Sequence, residues 1–370
     1  MVNGSAKRTG ASSASGSEPA KAASVTIADI AAEIGVSVPT ISKVLNGRSD
    51  VSVSTREKVE RALERHQYRR RPRATATEST PLIDLVFHDL GSAWSMEIIL
   101  GVQRAIASYG VGIVLTSLGG QHNPHQGWMD AVLARRPRGV ILVLSNLDPL
   151  QQHQLESRNI RFVIVDTDGQ TPAGAPTVGS NNWHGGLTAT RHLLELGHRR
   201  IAAISGPPDV LCSRARVDGF RSAHAESGLE IDPSLVRWGN FEVDGGHVHG
   251  LDLLARPDRP TAVFAGSDTQ ALGVIRAAHE LGLRVPEDVS VIGYDDLPLT
   301  EWVHPMLTTV HQPLSEMAGT ATHMLLDPDG AERPSRVELA THLVVRNSTV
   351  PPRGGGGAVP SPLHRAEGHR

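Results

Sequence analysis

The sequence predicts a small all-α helix-turn-helix headpiece at the N-terminus, followed by an α/β core of two doubly wound lobes. Three short amphipathic helical patterns between Val25 and Tyr68 predict the headpiece. From Leu82 onward, continuous apolar strands alternate with helical patterns, which is typical of parallel sheets covered by helices. About ten such strands exceed the five or six of one doubly wound sheet, so we expect two lobes.

The headpiece pattern has the start and stop signals of separate helices. Apolar residues at helical spacing run over 27–34, behind Thr26 as N-cap, and Gly35 ends this helix. Ser37 is predicted to cap the second helix, with Pro39 in its first turn. Ser54 and Glu57 have the spacing of a capping box and predict the start of a third helix. Two short helices joined by a tight glycine-containing turn, with a third behind them, form the helix-turn-helix plan.

The core pattern gives seven clear strands with helices between them. The strands are predicted at Leu82–Phe87, Val111–Thr116, Gly139–Leu144, Arg161–Val165, Ile201–Ser205, Ala262–Ala265 and Val289–Gly293. Helices are predicted at Met96–Tyr109, Leu187–Leu196 and Ala271–Leu281, among others. Ligands in such folds bind at the carboxyl ends of the strands.

These patterns divide the chain into five segments. We expect a disordered tail over 1–24, a helix-turn-helix domain over 25–69, a hinge or linker over 70–81, a core over 82–350 and a second disordered tail over 351–370. Lobe one is expected at about 82–180 and 311–334, and lobe two at about 181–310 and 335–350.

Composition narrows the class of protein. The 370 residues include a single cysteine, Cys212, so no internal disulfide can form and a reducing cytoplasm is expected. No apolar run is long enough to cross a bilayer, and no secretory signal is visible, so no membrane partner is expected. Residues 1–81 hold 13 Lys/Arg against 8 Asp/Glu, whereas the remainder holds 23 against 31. A basic head on an acidic body suggests a polyanionic partner for the head, although a solvated basic tail has the same composition.

The run from Thr26 to Gly47, followed by Val51-Ser52 and Thr55-Arg56-Glu57-Lys58-Val59, closely resembles the headpiece of the lactose-repressor (LacI/GalR) family. The resemblance extends through the core to about residue 350. It implies a homodimer whose two headpieces read a pseudo-palindromic double-stranded operator. It also implies that the core has the periplasmic-binding-protein-like fold and senses a small sugar.

The first residues of the second helix are the ones expected to meet base edges in the major groove. Lys43 can donate to guanine, and Val38 can pack on a thymine methyl group, while residues at helix ends hold phosphates. Lys43 could equally be a solvated surface residue. The DNA-binding set predicted in the headpiece is Thr26, Ser37, Val38, Pro39, Thr40, Ser42, Lys43 and Asn46.

The segment after Tyr68 departs from the family pattern. Members usually carry a Pro-Asn pair there and then a helix whose leucine wedges into the minor groove, whereas this chain has no leucine before Leu82. A wedge that unstacks bases needs a large apolar side chain. We therefore expect contacts made by arginines, from Arg70, Arg71 and Arg73.

The resemblance also implies an effector site in the core. Arg216 precedes Gly219-Phe220 in the Arg-x-x-Gly-aromatic pattern, and similar proteins use this arginine on ligand hydroxyls. Asp295 follows a strand where the family places a carboxylate that accepts sugar O–H groups. Asp268 and Asp89 are further candidates at strand ends.

Three tryptophans follow strand-like segments and could stack on a sugar ring: Trp94, Trp183 and Trp302. Each alone could equally pack in the core. The sequence around Cys212 and Trp302 resembles regulators of plant-polysaccharide breakdown, which favours a xylose-type sugar or a short β-linked oligosaccharide.

The predicted function is a sequence-specific transcriptional repressor whose operator affinity is controlled by a sugar inducer. A regulator that depends on a purine-type co-repressor is the alternative within the family. An α/β enzyme is the remote one, because no nucleotide-binding glycine motif, serine elbow or metalloprotease motif occurs. No cofactor is expected.

Overall fold

The computed structural model describes residues 27–45, 51–66, 80–167, 169, 174–327 and 335–353. The chain divides into two compact units, Met1–Ser79 and Thr80–Arg370. None of the described helices is long and apolar enough to span a bilayer.

The first unit contains three helices that pack around one small apolar core. They are α1 (Ile27–Ile34), α2 (Val38–Leu45) and α3 (Val53–Arg65). The buried residues at the centre are Ile30, Ile41, Val44, Val59 and Ala62. Gly35 lies between α1 and α2 at a φ of 63°, the left-handed conformation that ends a helix at low cost for glycine.

Two serines begin the second and third helices. Ser37 Oγ accepts a hydrogen bond from the Thr40 backbone N–H at 3.3 Å, which confirms the predicted cap of α2. At α3 the cap is Ser52, whose Oγ accepts from the Thr55 N–H at 3.3 Å. The predicted Ser54–Glu57 capping box is therefore wrong, because Ser54 already lies inside the first turn of α3.

The second unit begins with a lobe built on a six-stranded parallel sheet. Its strand order is β11-β5-β4-β3-β1-β2. The strands are β1 (Leu82–Phe87), β2 (Gly112–Ser117), β3 (Gly139–Val143), β4 (Arg161–Val165), β5 (Thr177–Ser180) and β11 (Arg336–Leu339). The helices of this part of the chain are α4 (Ala93–Ile106), α5 (Gln126–Arg135), α6 (Pro149–Glu156) and α11 (Leu314–Leu326).

The second lobe is built on a four-stranded parallel sheet in the order β7-β6-β8-β9. Its strands are β6 (Ile201–Ser205), β7 (Val236–Trp238), β8 (Ala262–Ala265) and β9 (Ser290–Ile292). Its helices are α7 (Asn182–Glu195), α8 (Leu211–Glu226), α9 (Val243–Leu254) and α10 (Asp268–Glu280), with short 3₁₀ turns at Pro233–Leu235 and Pro298–Glu301. The two parallel-sheet lobes confirm the predicted fold class.

Three crossings of the chain join the two lobes. The first runs from β5 into α7, the second from β10 (Thr309–His311) into α11, and the third from β11 into β12 (His342–Val344). β10 and β12 pair antiparallel beside the second lobe. The sequence assigned 335–350 to lobe two, but β11 is the edge strand of the first sheet. It pairs with β5 in parallel register from Arg336↔Thr177 to Leu339↔Ser180, and this pairing decides its lobe.

The core also extends beyond residue 350, where a disordered tail was expected to begin. Pro351, Pro352 and Arg353 are described, and an Arg353 guanidinium nitrogen lies 2.7 Å from Asp288 Oδ1. The rest of that tail and the N-terminal segment 1–24 lie outside the described residues.

Candidate DNA-reading surface and effector cavity

The exposed side of α2, with Ser37 just before it, presents the residues predicted to read DNA. Ser37, Val38, Pro39, Ser42 and Lys43 are exposed, and Thr40 is half-buried. The opposite face of the helix carries Ile41 and Val44 into the headpiece core. This division is what a recognition helix requires, because one face must pack while the other enters the groove.

The remaining predicted DNA contacts lie outside the described residues. They are Thr26 and Asn46 in the headpiece and Arg70, Arg71 and Arg73 in the hinge segment. Their roles, including the arginine-dominated hinge contact, stay predictions.

A cavity of about 350 Å³ lies between the two lobes of the core, at the carboxyl ends of their strands. Its size is within the range of small-molecule sites. Four of the predicted effector residues line it: Asp89, Trp94, Arg216 and Asp295. The other lining residues include Phe87, His88, Ser92, His122, Leu144, Asp166, Cys212, Asn240, Phe241, Glu242, Ser267 and Thr269.

Left-handed backbone is concentrated around this cavity. Among the described residues, seven other than glycine have a positive φ, and Leu144, Asp166, Phe241 and Asp295 line the cavity. Such conformations cost energy in residues other than glycine, and they are found most often at functional sites, where the surrounding structure holds them in place.

Arg216 is the buried cation of the cavity and is held in one orientation. Its Nε donates to Asn182 Oδ1 at 2.8 Å, one terminal nitrogen donates to the Gly266 carbonyl, and the other donates to Gln312 Oε1 at 3.2 Å. The guanidinium also lies 3.7 Å from the centre of the Tyr294 ring. Three of its five N–H groups thus donate to the protein, and the other two have no hydrogen-bond acceptor among the described residues.

The close packing of α7 on α8 places this arginine. A Cβ atom at Gly186 would meet the Arg216 carbonyl oxygen at 2.1 Å, and one at Gly219 would meet the Trp183 carbonyl oxygen at 2.1 Å. Only glycine allows this approach of the two backbones.

Two buried carboxyl groups face Arg216 from opposite lobes. Asp166 follows β4 in the first lobe, and Asp295 follows β9 in the second, with Oδ1 3.7 Å from an Arg216 nitrogen. Burial raises the pKa of Asp166, although Arg216 and Gln312 oppose the shift. Burial also raises the pKa of Asp295 to about 7, against the attraction of Arg216. Asp295 Oδ1 has no hydrogen-bond donor among the described residues, so a ligand O–H would satisfy it.

Asp268 does not line the cavity, although the sequence predicted an effector contact. It is fully buried, and its carboxylate accepts hydrogen bonds from the Leu297 N–H at 2.8 Å and from Thr309 Oγ1 at 2.5 Å. Burial and then the negative charge of Asp295 raise its pKa well above the ordinary value. Asp268 therefore supports the loop after Asp295 rather than facing the ligand space.

The three predicted tryptophans separate in the structure. Trp94 lines the cavity, whereas Trp302 is 81% exposed and lies outside its wall. Trp183 lines a separate hollow of about 250 Å³ beside β5 and β11. Phe87 and Phe241 are further aromatic residues of the main cavity, and no sequence motif indicated a role for Phe241.

Two histidines in the wall were missed by sequence reasoning. The His88 and His122 rings stack with centroids 4.3 Å apart, and their Nδ1 atoms lie 3.1 Å and 2.9 Å from the carbonyl oxygens of Gln121 and Leu144. Burial lowers the pKa of His88. His88 directly follows β1, and this position at a strand end was the available signal; His122 lies in a loop with no such signal.

Each of the two units matches a known protein family. Residues 26–71 match the family described as bacterial regulatory proteins, lacI family, and residues 190–349 match a periplasmic binding protein-like domain. The chain is 36% identical to the HTH-type transcriptional regulator CelR of Thermobifida fusca, over 87% of this chain and 98% of CelR. The chain belongs to the LacI family. This LacI-family chain is also 33% identical to the HTH-type transcriptional repressor PurR of Escherichia coli O139:H28, over 88% of this chain and 97% of PurR.

Solved structures agree with this family assignment. A complex of CelR with cellobiose superposes with a TM-score of 0.66 at 34% identity, covering 88% of this chain and 99% of that one. A Lac repressor dimer bound to operator and the anti-inducer ONPF superposes with a TM-score of 0.64 at 28% identity, covering 88% and 99%. This LacI-family chain is therefore a DNA-binding transcriptional regulator, and its relatives CelR and PurR are regulators rather than enzymes.

The charges in this LacI-family cavity limit its ligand. Four carboxyl groups line it, from Asp89, Asp166, Glu242 and Asp295, against the single guanidinium of Arg216. An anionic ligand would add negative charge beside carboxyl groups whose own charge is already disfavoured by burial, whereas a neutral ligand with many hydroxyl groups can donate to the carboxyl oxygens and accept from the arginine.

Proposed function

We propose that this protein is a sequence-specific repressor whose operator affinity is lowered by a neutral sugar bound between the core lobes. The observation that carries the proposal is the buried group of Arg216, Asp166 and Asp295, which opens into a cavity bordered by Trp94 and Phe241. Paired hydroxyl groups suit the two free N–H groups of a guanidinium and the unfilled carboxylate oxygen. Aromatic rings suit the apolar faces of a pyranose.

A short β-linked oligosaccharide or a xylose-type sugar is the proposed effector class. The solved CelR structure carries cellobiose, and its chain shares a third of its residues with this one. The excess of carboxylates supports a neutral sugar over a sugar phosphate, because each charged phosphate would have to be placed beside these groups.

The proposed mode of DNA binding is a homodimer with two headpieces on one pseudo-palindromic operator. The solved Lac repressor that resembles this chain is a dimer bound to operator. Within each headpiece, the exposed side of α2 would read bases, and the caps of α2 and α3 would face phosphates. The sugar can act only by binding the DNA-bound and DNA-free states with different affinities.

The test is a ligand screen followed by an operator-binding assay. Melting temperatures would be measured with cellobiose, xylose, other short β-linked oligosaccharides and purines, because a ligand of the folded state raises the melting temperature. Duplex DNA selected from a random pool would then be titrated with and without the hit. We expect a sugar to raise the melting temperature and to weaken operator binding by roughly 5- to 150-fold. A response to purines alone would overturn the sugar assignment, and stronger operator binding with the sugar would overturn its role as an inducer.

A pair of arginines on α8 provides matched variants for this assay. Arg216→Ala should weaken sugar binding at least about 100-fold, because charged hydrogen bonds are lost in a buried site. Arg214→Ala removes an exposed arginine of the same helix that does not line the cavity, and should leave sugar binding unchanged. Equal effects of both substitutions would place the sugar elsewhere.

A further inference from the structure

The crossing from β10 into α11 carries a buried glutamine between the two lobes. Gln312 is 1% exposed. Its amide nitrogen donates to Asp166 Oδ2 at 3.0 Å, and its amide oxygen accepts from Arg216 at 3.2 Å. Its backbone N–H donates to the Asp295 carbonyl oxygen at 3.2 Å. One residue therefore hydrogen-bonds to the side chains of Asp166 and Arg216 and to the backbone of Asp295, yet it does not line the cavity itself.

An amide is well suited to this position because its two ends differ in polarity. The NH₂ end faces a carboxyl group, and the oxygen faces a guanidinium. A carboxylate at 312 would set two acceptors against each other at Asp166, and a side chain without polar atoms would remove one hydrogen bond from each partner. Asp166 belongs to the first lobe and Arg216 to the second, so this side chain joins groups on opposite sides of the cleft.

The same residue lies on one of the three crossings of the chain. Gln312 directly follows β10 and precedes α11, which packs against α4 in the first lobe. If the distance between Asp166 and Arg216 changes, either the crossing from β10 into α11 moves with them or Gln312 loses one of its hydrogen bonds.

We propose that Gln312 is a positioning residue that transmits occupancy of the cavity to the angle between the lobes. A ligand that draws Arg216 and Asp166 together tightens both hydrogen bonds of the amide, and the crossing strand follows. This inference rests on the proposed function, because it concerns the effect of that site's ligand.

The first experiment needs no ligand. Gln312→Glu should lower the melting temperature by about 2–6 °C at pH 8, because the new carboxylate faces Asp166. The charged groups that contact the Gln312 side chain are those of Asp166 and Arg216, and Asp295 contacts this residue through its backbone carbonyl oxygen. A protonated carboxyl group has the shape of the amide and can donate to Asp166, so the deficit relative to wild type should shrink at pH 5.5. Gln312→Met cannot recover at either pH.

The second experiment measures transmission with cellobiose as the probe. The affinity for cellobiose and the cellobiose-induced change in operator affinity would be measured at both pH values for each variant. At pH 8, the cellobiose-induced change in operator affinity should be at least fivefold smaller in Gln312→Glu than in wild type. At pH 5.5, the change in the variant should return to a value close to that of wild type. Gln270→Glu is the matched control: Gln270 is also fully buried, but its amide donates to Ser205 O within the second lobe. It should lose stability while the change in operator affinity stays as in wild type.

The outcomes separate this inference from the proposed function. If Gln312→Glu lowers the melting temperature by the same amount at both pH values, the hydrogen bonds of the amide contribute nothing and the side chain only fills space. This result would overturn the inference for any ligand. Recovery of stability with an unchanged response to cellobiose would overturn the transmitting role. If no sugar raises the melting temperature of the wild-type protein while the ligand-free experiment behaves as expected, only the sugar proposal fails. The operator-binding experiment is then repeated with the purine that raises the melting temperature. If Gln312→Glu responds to that purine as wild type does, the inference about Gln312 is overturned as well.

Discussion

Asp295 combines a cost to stability with a proposed role in binding the effector. It is buried at a φ of 111°, and one carboxylate oxygen has no donor among the described residues. Its raised pKa means that the native state binds more protons than the unfolded chain between the ordinary pKa of an aspartate and about 7. The contribution of Asp295 to stability is therefore present below the unfolded pKa and is lost as the pH rises through about 7.

Asp295→Asn should thus stabilise the protein at pH 8 while weakening the response to sugar. Asparagine has the same shape and tolerates positive φ, so the free energy of unfolding should rise by roughly 1–3 kcal/mol at pH 8. The gain should disappear near pH 4, where the wild-type carboxyl group is neutral. Urea denaturation at the two pH values measures it. Asp89→Asn changes an exposed carboxylate of the same cavity and should leave stability within about 0.5 kcal/mol at both. A destabilised Asp295→Asn at pH 8 would contradict this expectation.

The residues of the site differ in how far the sequence could predict them. Arg216 and Asp295 stand in local motifs and could be carried over from the family. Gln312 is separated from Asp166 by 146 residues and from Arg216 by 96, so only the folded chain shows that they meet. Trp302 was predicted in the site from its place after a strand, but position along the chain does not fix which way a loop turns.

At the scale of elements, the next prediction concerns α2, the proposed recognition helix. Lys43→Ala should lower the ratio of operator affinity to random-DNA affinity by roughly 5- to 150-fold, because a base contact contributes about 1–3 kcal/mol of discrimination. Lys58→Ala removes an exposed lysine from α3 and should weaken both affinities alike. Fluorescence anisotropy with both duplexes gives the ratio. If the two variants keep the wild-type ratio, Lys43 contacts phosphate rather than a base.

The contact of α7 with α8 predicts a second effect at this scale. Gly219→Ala would force a Cβ atom to 2.1 Å from the Trp183 carbonyl oxygen and should cost roughly 2–4 kcal/mol of unfolding free energy. Gly319→Ala in α11 meets no atom within 4 Å and should gain up to about 1 kcal/mol, because alanine favours helix. Urea denaturation of both variants decides it. A Gly219→Ala variant as stable as wild type would show that the two helices can move apart freely.

Elements were predictable where one physical signal dominates. The bounds of four strands agree with those predicted from continuous apolar runs: β1, β4, β6 and β8. A strand that is buried on both faces is apolar along its whole length, so its own sequence marks where it begins and ends. β11 reads Arg-Val-Glu-Leu, with alternating exposure, and its place in the first sheet depends on its pairing with β5. The beginning of α3 likewise depends on which of two nearby serines takes the cap, since Ser52 and Ser54 have the same chemistry.

At the scale of the whole molecule, the uneven charge separates the two binding events. The basic excess lies in residues 1–81, and the cavity of the acidic remainder holds more carboxylates than cations. Operator binding releases counterions from DNA, so its affinity should fall by at least roughly 100-fold between about 50 and 200 mM salt. Binding of a neutral sugar to a largely buried cluster should change by less than about twofold over the same range. Both affinities can be measured on one preparation, by anisotropy for operator and calorimetry for the sugar. A sugar affinity that weakens in step with operator affinity would contradict this expectation, because it would mean that charges open to solvent, rather than the buried cluster, control sugar binding.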